Sequence, residues 1–218
     1  MTQKRCKWAE GKWKEYHDKH WGTPVHDDQT LYENLLLVTF QAGLSWQTML
    51  NKKEHYKKAY DNFQIDKIIQ YDENKIEELM TNENLIRNKR KIEASIQNTK
   101  IFKQIQEEKG SFNNYIWSFT DNKVLVDTPE NYQTQSALSD KISKDLKKRG
   151  MKYIGSITIY AYLEQMGIIN NHEKTCYKHK TEDTKTKLQY NDKKKHIKKL
   201  NRKKYNHHKK KEEQTIKN

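Results

Sequence analysis

One stretch in the first quarter of the chain has the period of an amphipathic helix. Its apolar side chains recur at i, i+4, i+7 and i+11 and therefore share one face: Leu31, Leu35, Val38 and Ala42. Asp27 and Asp28 precede them, and acidic residues favour helix N-termini. Gly43 follows, and glycine readily takes the positive φ with which many helices end. The pattern predicts a helix and a tight turn whose tip, Leu44, is either buried or a wedge.

The remaining apolar patterns predict further helices and almost no strand. Helices are expected from Trp46 to about Tyr60, over 65–71, after Asp72, from about residue 89 through Ile105, over 136–148 and over 151–167. Only Val124–Val126 is typical of a short extended segment. Because the chain has two prolines and no sustained alternation of apolar and polar residues, the pattern predicts an all-α body.

Two of the predicted helices flank a polar break. The first carries Ile76, Leu79 and Met80, and the second is long and basic at its start, with Lys89 and Arg90. This order is that of a helix-hairpin-helix, although the glycine-rich turn of that motif is missing. The spacing alone is equally compatible with an ordinary helical hairpin that has a solvated basic end.

Most of the net positive charge lies in the last fifth of the chain. Tyr177–Asn218 carries 16 Lys and Arg against 5 Asp and Glu, or +11 of the formal net charge of +14 of the whole chain. We therefore predict a folded domain over 1–176 and a basic, low-complexity, disordered tail over 177–218. Such a tail is either simply solvated or binds a polyanion with an affinity that salt weakens.

The chain also lacks the patterns of membrane and exported proteins. No run approaches the roughly 18–20 apolar residues of a membrane span, and the N-terminus has no apolar signal-peptide core. A cytoplasmic location is the resulting expectation. Two cysteines in a reducing compartment argue against a structural disulfide.

Both cysteines have histidines at short spacing. Cys6 and His17 are separated by ten residues, whereas His172 and Cys176 are separated by three. Two thiolates and two imidazoles form a closed tetrahedral set for structural zinc. Only the second pair has the spacing of local metal ligands. Unrelated surface histidines with buried thiols, or a disulfide, remain alternatives at this point.

Taken together, the motifs of the body resemble those of DNA-3-methyladenine glycosylase I, the Tag family of the helix-hairpin-helix superfamily. They occur in family order from Arg5 to Cys176: RCKW, YHDKHWGTPVHD, QAGLSWQTML, IRNKRKIEA, WSF, LSDKISKDLKKRGMKYIG and the His172/Cys176 pair. The resemblance implies an all-α, monomeric enzyme that acts on double-stranded DNA containing alkylated bases. It would hydrolyse the glycosidic bond of N3-methylated adenine and leave an abasic site.

The resemblance also implies roles for particular residues. Structural zinc would be held by Cys6, His17, His172 and Cys176. Aromatic side chains would stack on the flipped base: Trp8, Trp13, Tyr16, Trp21 and Trp46. Gly43 and Leu44 would fill the gap in the duplex, and Lys89 and Arg90 would hold phosphate. The alternative for the aromatic residues is that they are plain core side chains.

The chain departs from the family at the position expected to be catalytic. Members normally carry a glutamate five residues before the glycine of AGLSW, and here that residue is Val38. Valine can neither accept a hydrogen bond from the adenine amine nor offset the charge of a cationic base. Glu33 cannot substitute, since five residues is not a same-face spacing. Trp13, where a tyrosine is usual, is a milder departure.

Three hypotheses follow from the sequence. The first is a 3-methyladenine glycosylase with altered base recognition. The second is a lesion-binding member whose catalysis is impaired because Val38 replaces the glutamate. The third is a zinc-stabilised helical domain whose basic tail binds RNA or another polyanion.

Overall fold

The computed structural model describes residues 3–126 and 133–179. Within these ranges the chain forms nine α-helices and two short strands. The helices are α1 (Lys14–Lys19), α2 (Asp28–Gln41), α3 (Trp46–Ala59), α4 (Ile65–Ile68), α5 (Glu73–Thr81), α6 (Lys89–Lys109), α7 (Phe112–Ser118), α8 (Ala137–Lys148) and α9 (Ser156–Gln165). The strands are β1 (Leu125–Val126) and β2 (Ile169–Asn170), which pair in parallel. The prediction of an all-α body is confirmed.

Helix α2 is the central element of the body. The Asp27 side chain caps it by accepting a hydrogen bond from the Thr30 backbone N–H at 2.8 Å. The helix packs against α3, α6, α7 and α9. Because it has neighbours on several sides, Leu31 to Phe40 are nearly all buried, and the predicted stripe is only part of the apolar surface.

Helices α5 and α6 form the hairpin that the sequence predicts. Asp72 caps α5 through the Lys75 backbone N–H, and Asn88 caps α6 through the Lys91 backbone N–H. Residues 82–88 connect the two helices, and Leu85 of this connection is buried in the core. The buried face of α6 includes Ala94, Ile101 and Ile105, which the sequence places at i, i+7 and i+11, so the predicted long helix is confirmed.

One local prediction is wrong, and one helix was missed. Residues 151–155 are not helical, because Gly150 and Tyr153 take positive φ angles of 102° and 57°, and α9 begins only at Ser156. The N-terminal helix α1 has no clear apolar period and was therefore not predicted from the pattern. It is stabilised instead by tertiary contacts, since His17 on this helix is fully buried.

Two further predictions concern membrane-spanning helices and the C-terminal tail. None of the helices in the described ranges combines the length and the apolar character that crossing a bilayer requires. Residues 180–218, most of the predicted basic tail, lie outside the described residues. Tyr177 to His179 continue the folded body, because the Tyr177 backbone N–H donates to the Lys4 carbonyl at 2.9 Å.

Candidate active site and metal-ligand cluster

The turn between α2 and α3 projects an apolar tip from the body. Gly43 has a φ of +83°, which glycine adopts without strain. Leu44 is one of few large apolar side chains left exposed in the described part of the chain, at 40%. Ser45 then caps α3 through the Thr48 backbone N–H. Of the two readings of Leu44, the exposed one is correct, and its position suits insertion into a partner.

A buried lysine holds the base of this tip. The Lys91 ammonium donates hydrogen bonds to the carbonyls of Phe40 at 2.8 Å and Ala42 at 2.6 Å. Both carbonyls belong to the end of α2, where helical partners run out. Burial lowers the pKa of Lys91. The adjacent Lys89 and Arg90, predicted to contact DNA, are both exposed, and Lys89 pairs with Glu73.

We expect Lys91→Met to lower the free energy of unfolding by about 1–3 kcal/mol, because two carbonyls at the end of α2 lose their donor. Methionine keeps an unbranched apolar chain, so most of the packing remains. Lys100→Met, an exposed substitution on the same helix, is the matched control and should stay within about 0.5 kcal/mol. Urea unfolding measures both variants; equal losses would contradict the anchoring role.

The five aromatic side chains predicted to bind a base form one continuous group. Tyr16 and Trp46 are nearly parallel, with centroids 5.5 Å apart and an interplanar angle of 22°. The Trp8 ring stands edge-on to Trp21 at 5.0 Å and to Trp46 at 5.4 Å. All five are half-buried rather than buried. Each of them therefore keeps some exposed surface that a ligand could contact, and their role in binding a base stays a prediction.

Trp13 has a different position from the other four. Its ring contacts Trp46 at a centroid distance of 4.8 Å, and the Lys12 ammonium lies over it at 4.5 Å. It does not line either of the two clefts described below. Trp13 therefore packs against Trp46 from outside the clefts. Surface that a ligand could contact is offered by the other four side chains: Trp8, Tyr16, Trp21 and Trp46.

Two clefts open beside the aromatic group. The larger, of about 640 Å³, contains Trp8, Trp21, Ala161, Glu164 and Asn171 in its wall. The smaller, of about 420 Å³, contains Val38 and residues of α2 and α3. They meet at four shared side chains: Tyr16, Gln41, Trp46 and Gln165. We call them the Trp8 cleft and the Val38 cleft.

The electrostatic character of the two clefts differs. Val38 is only 2% exposed and contributes an apolar wall. Lys19, His20 and Lys53 are basic groups of the same cleft, and burial lowers the pKa of His20. Glu54 is the one carboxylate in that lining, whereas the Trp8 cleft contains the two carboxylates of Glu164 and Glu173 together with Lys7. Burial raises the pKa of Tyr16, and the negative charge of Glu164 raises it further.

The two cysteines and two histidines lie together, although the pairs come from opposite ends of the body. Their ligand atoms all lie within 4.8 Å of one another, and all four residues are buried. Cys6 Sγ is 3.5 Å from His172 Nδ1, and Cys176 Sγ is 3.4 Å from His17 Nε2. These distances match the ~3.5 Å edges of a tetrahedron built with zinc–sulfur and zinc–nitrogen bond lengths.

The surroundings of the cluster orient His17 as a metal ligand. His17 Nδ1 lies 2.9 Å from the Asp18 carboxylate, which leaves Nε2 directed at the cluster. Arg5 holds Asp18 through several hydrogen bonds and lowers the pKa of that carboxyl. The prediction that Cys6, His17, His172 and Cys176 come together is confirmed.

His172 provides a test of whether the cluster fits a metal ion. Burial lowers its pKa to about 3, so the imidazole is neutral, the form that ligates metals. Its Nε2 is buried without a hydrogen-bond partner and lies against Gly22, where a Cβ would approach it to 2.5 Å. A tightly packed, neutral ring with Nδ1 aimed at two thiols suits a metal ligand.

Sequence reasoning missed two charged groups of this region. Lys91 lies next to the predicted phosphate contacts, but its side chain points inward to the end of α2. Glu164 lies on α9, far in sequence from every aromatic motif, and only the packing of α9 brings it to Trp8 and Trp46. No periodicity or spacing distinguishes either residue.

These features define a class of protein: an all-α body that presents aromatic faces to a flat ligand beside an exposed apolar tip. The profile of the methyladenine glycosylase family matches residues 7–179. The DNA-3-methyladenine glycosylase of Haemophilus influenzae is 38% identical in a 177-residue alignment that covers 79% of this chain and 96% of that protein. DNA-3-methyladenine glycosylase 1 of Escherichia coli is 34% identical, with 79% and 95% coverage.

Solved structures agree with the sequence comparisons. One of them describes 3-methyladenine recognition by 3-methyladenine DNA glycosylase I of Staphylococcus aureus. It matches with a TM-score of 0.77 and 31% identity, over 82% of this chain and 98% of that chain. The chain belongs to the methyladenine glycosylase family.

Proposed function

We propose that the protein is a DNA-3-methyladenine glycosylase that removes N3-methylated adenine from alkylated double-stranded DNA by hydrolysis. The observation that carries this proposal is the pair of clefts that share Tyr16 and Trp46, together with the exposed Leu44, which precedes Trp46 by two residues. Family membership supplies the reaction class. An enzyme of this class must take the base out of the helical stack to reach the glycosidic bond.

The chemistry follows from the charge of the damaged base. Methylation at N3 makes the base cationic, so the C1′–N9 bond breaks with both electrons moving to the base, which leaves neutral. Water adds to C1′ and loses its proton to solvent, and an abasic site remains. Aromatic rings such as Tyr16 and Trp46 attract a cationic ring more than neutral adenine. Because the positive charge already weakens the C1′–N9 bond, the attacking water does not need strong activation.

A base sandwiched between Tyr16 and Trp46 would require some movement of the aromatic pair. The centroids of Tyr16 and Trp46 are 5.5 Å apart, whereas two van der Waals contacts of ~3.5 Å each call for about 7 Å around a sandwiched base. A base that stacks between them must push the rings apart. Both clefts border the pair, so space for this movement exists on either side.

The DNA partner would be held without sequence readout. The Leu44 tip fills the space that the flipped base leaves. The exposed Lys89 and Arg90 at the start of α6 contact phosphate and set the position of the duplex. One chain supplies tip, clefts and ligand cluster, which supports a monomeric enzyme. The basic residues of 180–218 would add affinity for polyanions that salt weakens.

Zinc is the metal that the ligand set fits best, and its role here would be structural. Cys6, His17, His172 and Cys176 would complete a closed tetrahedral shell with no open position for substrate. Such an ion joins Cys6, before α1, and His17, on α1, to the segment after β2. The walls of the Trp8 cleft come from these same segments, since Trp8, Trp21 and Asn171 lie within four residues of a ligand.

The test is base release by the purified protein. Duplex DNA treated with a methylating agent is incubated with enzyme, and free bases are separated by chromatography. Release of 3-methyladenine, with strand cleavage only after alkali, is the expected result; untreated duplex is the control. No release, combined with tight binding to abasic-site DNA, would instead support the lesion-binding alternative, which the apolar Val38 favours.

A further inference from the structure

Lys91 connects the start of α6 to the turn that carries Leu44. It directly follows Lys89 and Arg90 in sequence, yet its own side chain is buried whereas both neighbours are exposed. Its backbone N–H donates to the Asn88 side chain at 3.2 Å, which fixes this helix end. Adjacent residues of a helix project in different directions. The first turn of α6 therefore presents two basic side chains to solvent and a third to the turn between α2 and α3.

The Lys91 ammonium fixes the backbone on the α2 side of this turn. It donates to the Phe40 carbonyl at 2.8 Å and to the Ala42 carbonyl at 2.6 Å. Ala42 is the last residue before Gly43, where the chain reverses with a φ of +83°. The Tyr153 ring lies 5.6 Å from the same ammonium. Charge-assisted bonds to two carbonyls set both the position and the direction of the chain that enters the turn.

The α3 side of the turn is held separately by Ser45. Its hydroxyl oxygen accepts from the Thr48 backbone N–H at 3.2 Å and lies 2.8 Å from the Thr48 hydroxyl. Leu44, which lies between the two anchored ends, is 40% exposed. Because both ends are fixed before a partner arrives, little backbone freedom is lost when the Leu44 tip enters that partner.

We propose that Lys91 is a positioning residue for the handling of duplex DNA. It would fix the Leu44 tip relative to the phosphate contacts at the start of α6, so that the tip fills the gap left by a flipped base. The proposal rests on the proposed function, because it assigns Lys91 a role in binding alkylated duplex DNA. Since its ammonium is directed at backbone carbonyls, Lys91 acts through the tip rather than on the base. A single strand has no such gap, so the effect should be confined to duplex substrate.

The kinetic test compares the same lesions in two settings. One DNA strand is methylated and then presented either annealed to its complement or alone, and initial rates of 3-methyladenine release are measured below saturation. Lys91→Met should lower the ratio of kcat/KM for duplex to kcat/KM for single strand about tenfold, because the freed tip loses part of the burial of Leu44 in the duplex. A smaller folded fraction alone would lower both rates equally and leave this ratio unchanged.

A binding measurement tests the same role without catalysis. A duplex in which a tetrahydrofuran replaces one nucleoside contains a permanent gap, whereas the intact duplex of the same sequence contains none. Fluorescence anisotropy of labelled duplexes gives the dissociation constant of each. The wild type should prefer the gapped duplex, and Lys91→Met should reduce that preference about tenfold, the same fold-change as in the kinetic ratio.

Leu44→Ala and Lys100→Met are the matched comparisons. Leu44→Ala removes the apolar side chain of the tip and should reproduce both losses. The double variant should lose no more than the larger of the two single losses, since Lys91 acts through Leu44. Lys100→Met removes an exposed lysine from the same helix and should keep both ratios within about twofold of the wild type.

The outcomes separate this inference from the function on which it rests. If the wild type releases 3-methyladenine and Lys91→Met keeps either the kinetic ratio or the preference for the gapped duplex, the inference is wrong and the function stands. Losses that add in the double variant would also overturn it, as would a wild type that does not prefer the gapped duplex. If the wild type releases no base, the proposed function fails, and the binding preference still decides the role of Lys91.

Discussion

Cys176→Ser is expected to lower the free energy of unfolding by on the order of 5 kcal/mol, because structural zinc contributes about 10–16 kcal/mol of binding free energy to folding. The Cys176 thiol lies 3.4 Å from His17 Nε2 and 3.6 Å from His172 Nδ1, so it touches both histidines of the cluster. Serine occupies nearly the same volume but is a poor zinc ligand. Urea unfolding and metal analysis of the purified protein measure the effect.

A chelator provides the matched control for this prediction. The wild type should contain one equivalent of zinc, and chelation should bring its stability close to that of the variant. The variant itself should respond little to the chelator. A purely packing role for the thiol predicts the opposite pattern, in which the difference between the two proteins is the same with and without chelator.

Trp46→Ala should reduce kcat/KM for 3-methyladenine release by about 5- to 150-fold, since base–aromatic stacking contributes about 1–3 kcal/mol per base. Trp46 borders both clefts and packs against Trp8, Trp13 and Tyr16. Its replacement therefore removes one face of the base site wherever the base lies. Initial rates on methylated duplex DNA, measured below saturation, give this ratio.

Trp46→Phe is the conservative comparison for that measurement. Phenylalanine keeps an aromatic face of smaller area, so its loss should be several times smaller than that of alanine. Trp13→Ala should also have a smaller effect than Trp46→Ala, because Trp13 contacts Trp46 from outside the clefts. Similar losses in Trp46→Phe and Trp46→Ala would contradict stacking as the role of this ring.

The helices of the body were predictable wherever a local signal marks them. Asp27, Asp72 and Ser136 cap α2, α5 and α8 as their side-chain chemistry indicates. Gly43 takes the positive φ expected at the end of α2. These signals act between residues three or four apart, so they can be read from the order of amino acids alone.

Part of the site was also predictable, through residue chemistry combined with motif order. Two thiols and two imidazoles suggested one cluster, and four of the five predicted aromatic residues line the clefts. Trp13 was placed among them only because of its position in the motif. Its side chain is covered by Lys12, a contact that no spacing reveals.

By itself, the sequence determined the helical class of the body, the helix limits marked by capping residues, and the absence of a carboxylate at position 38. Only the tertiary structure decided that Lys91 points inward to the end of α2 and that Glu164 reaches the aromatic cleft. It also decided the break at 151–155, where Tyr153 takes a positive φ. The physical reason is the sequence separation over which the interactions act. Capping and helical periodicity involve residues close together in sequence. The neighbours of a side chain on α6 or α9 depend instead on how helices distant in sequence pack.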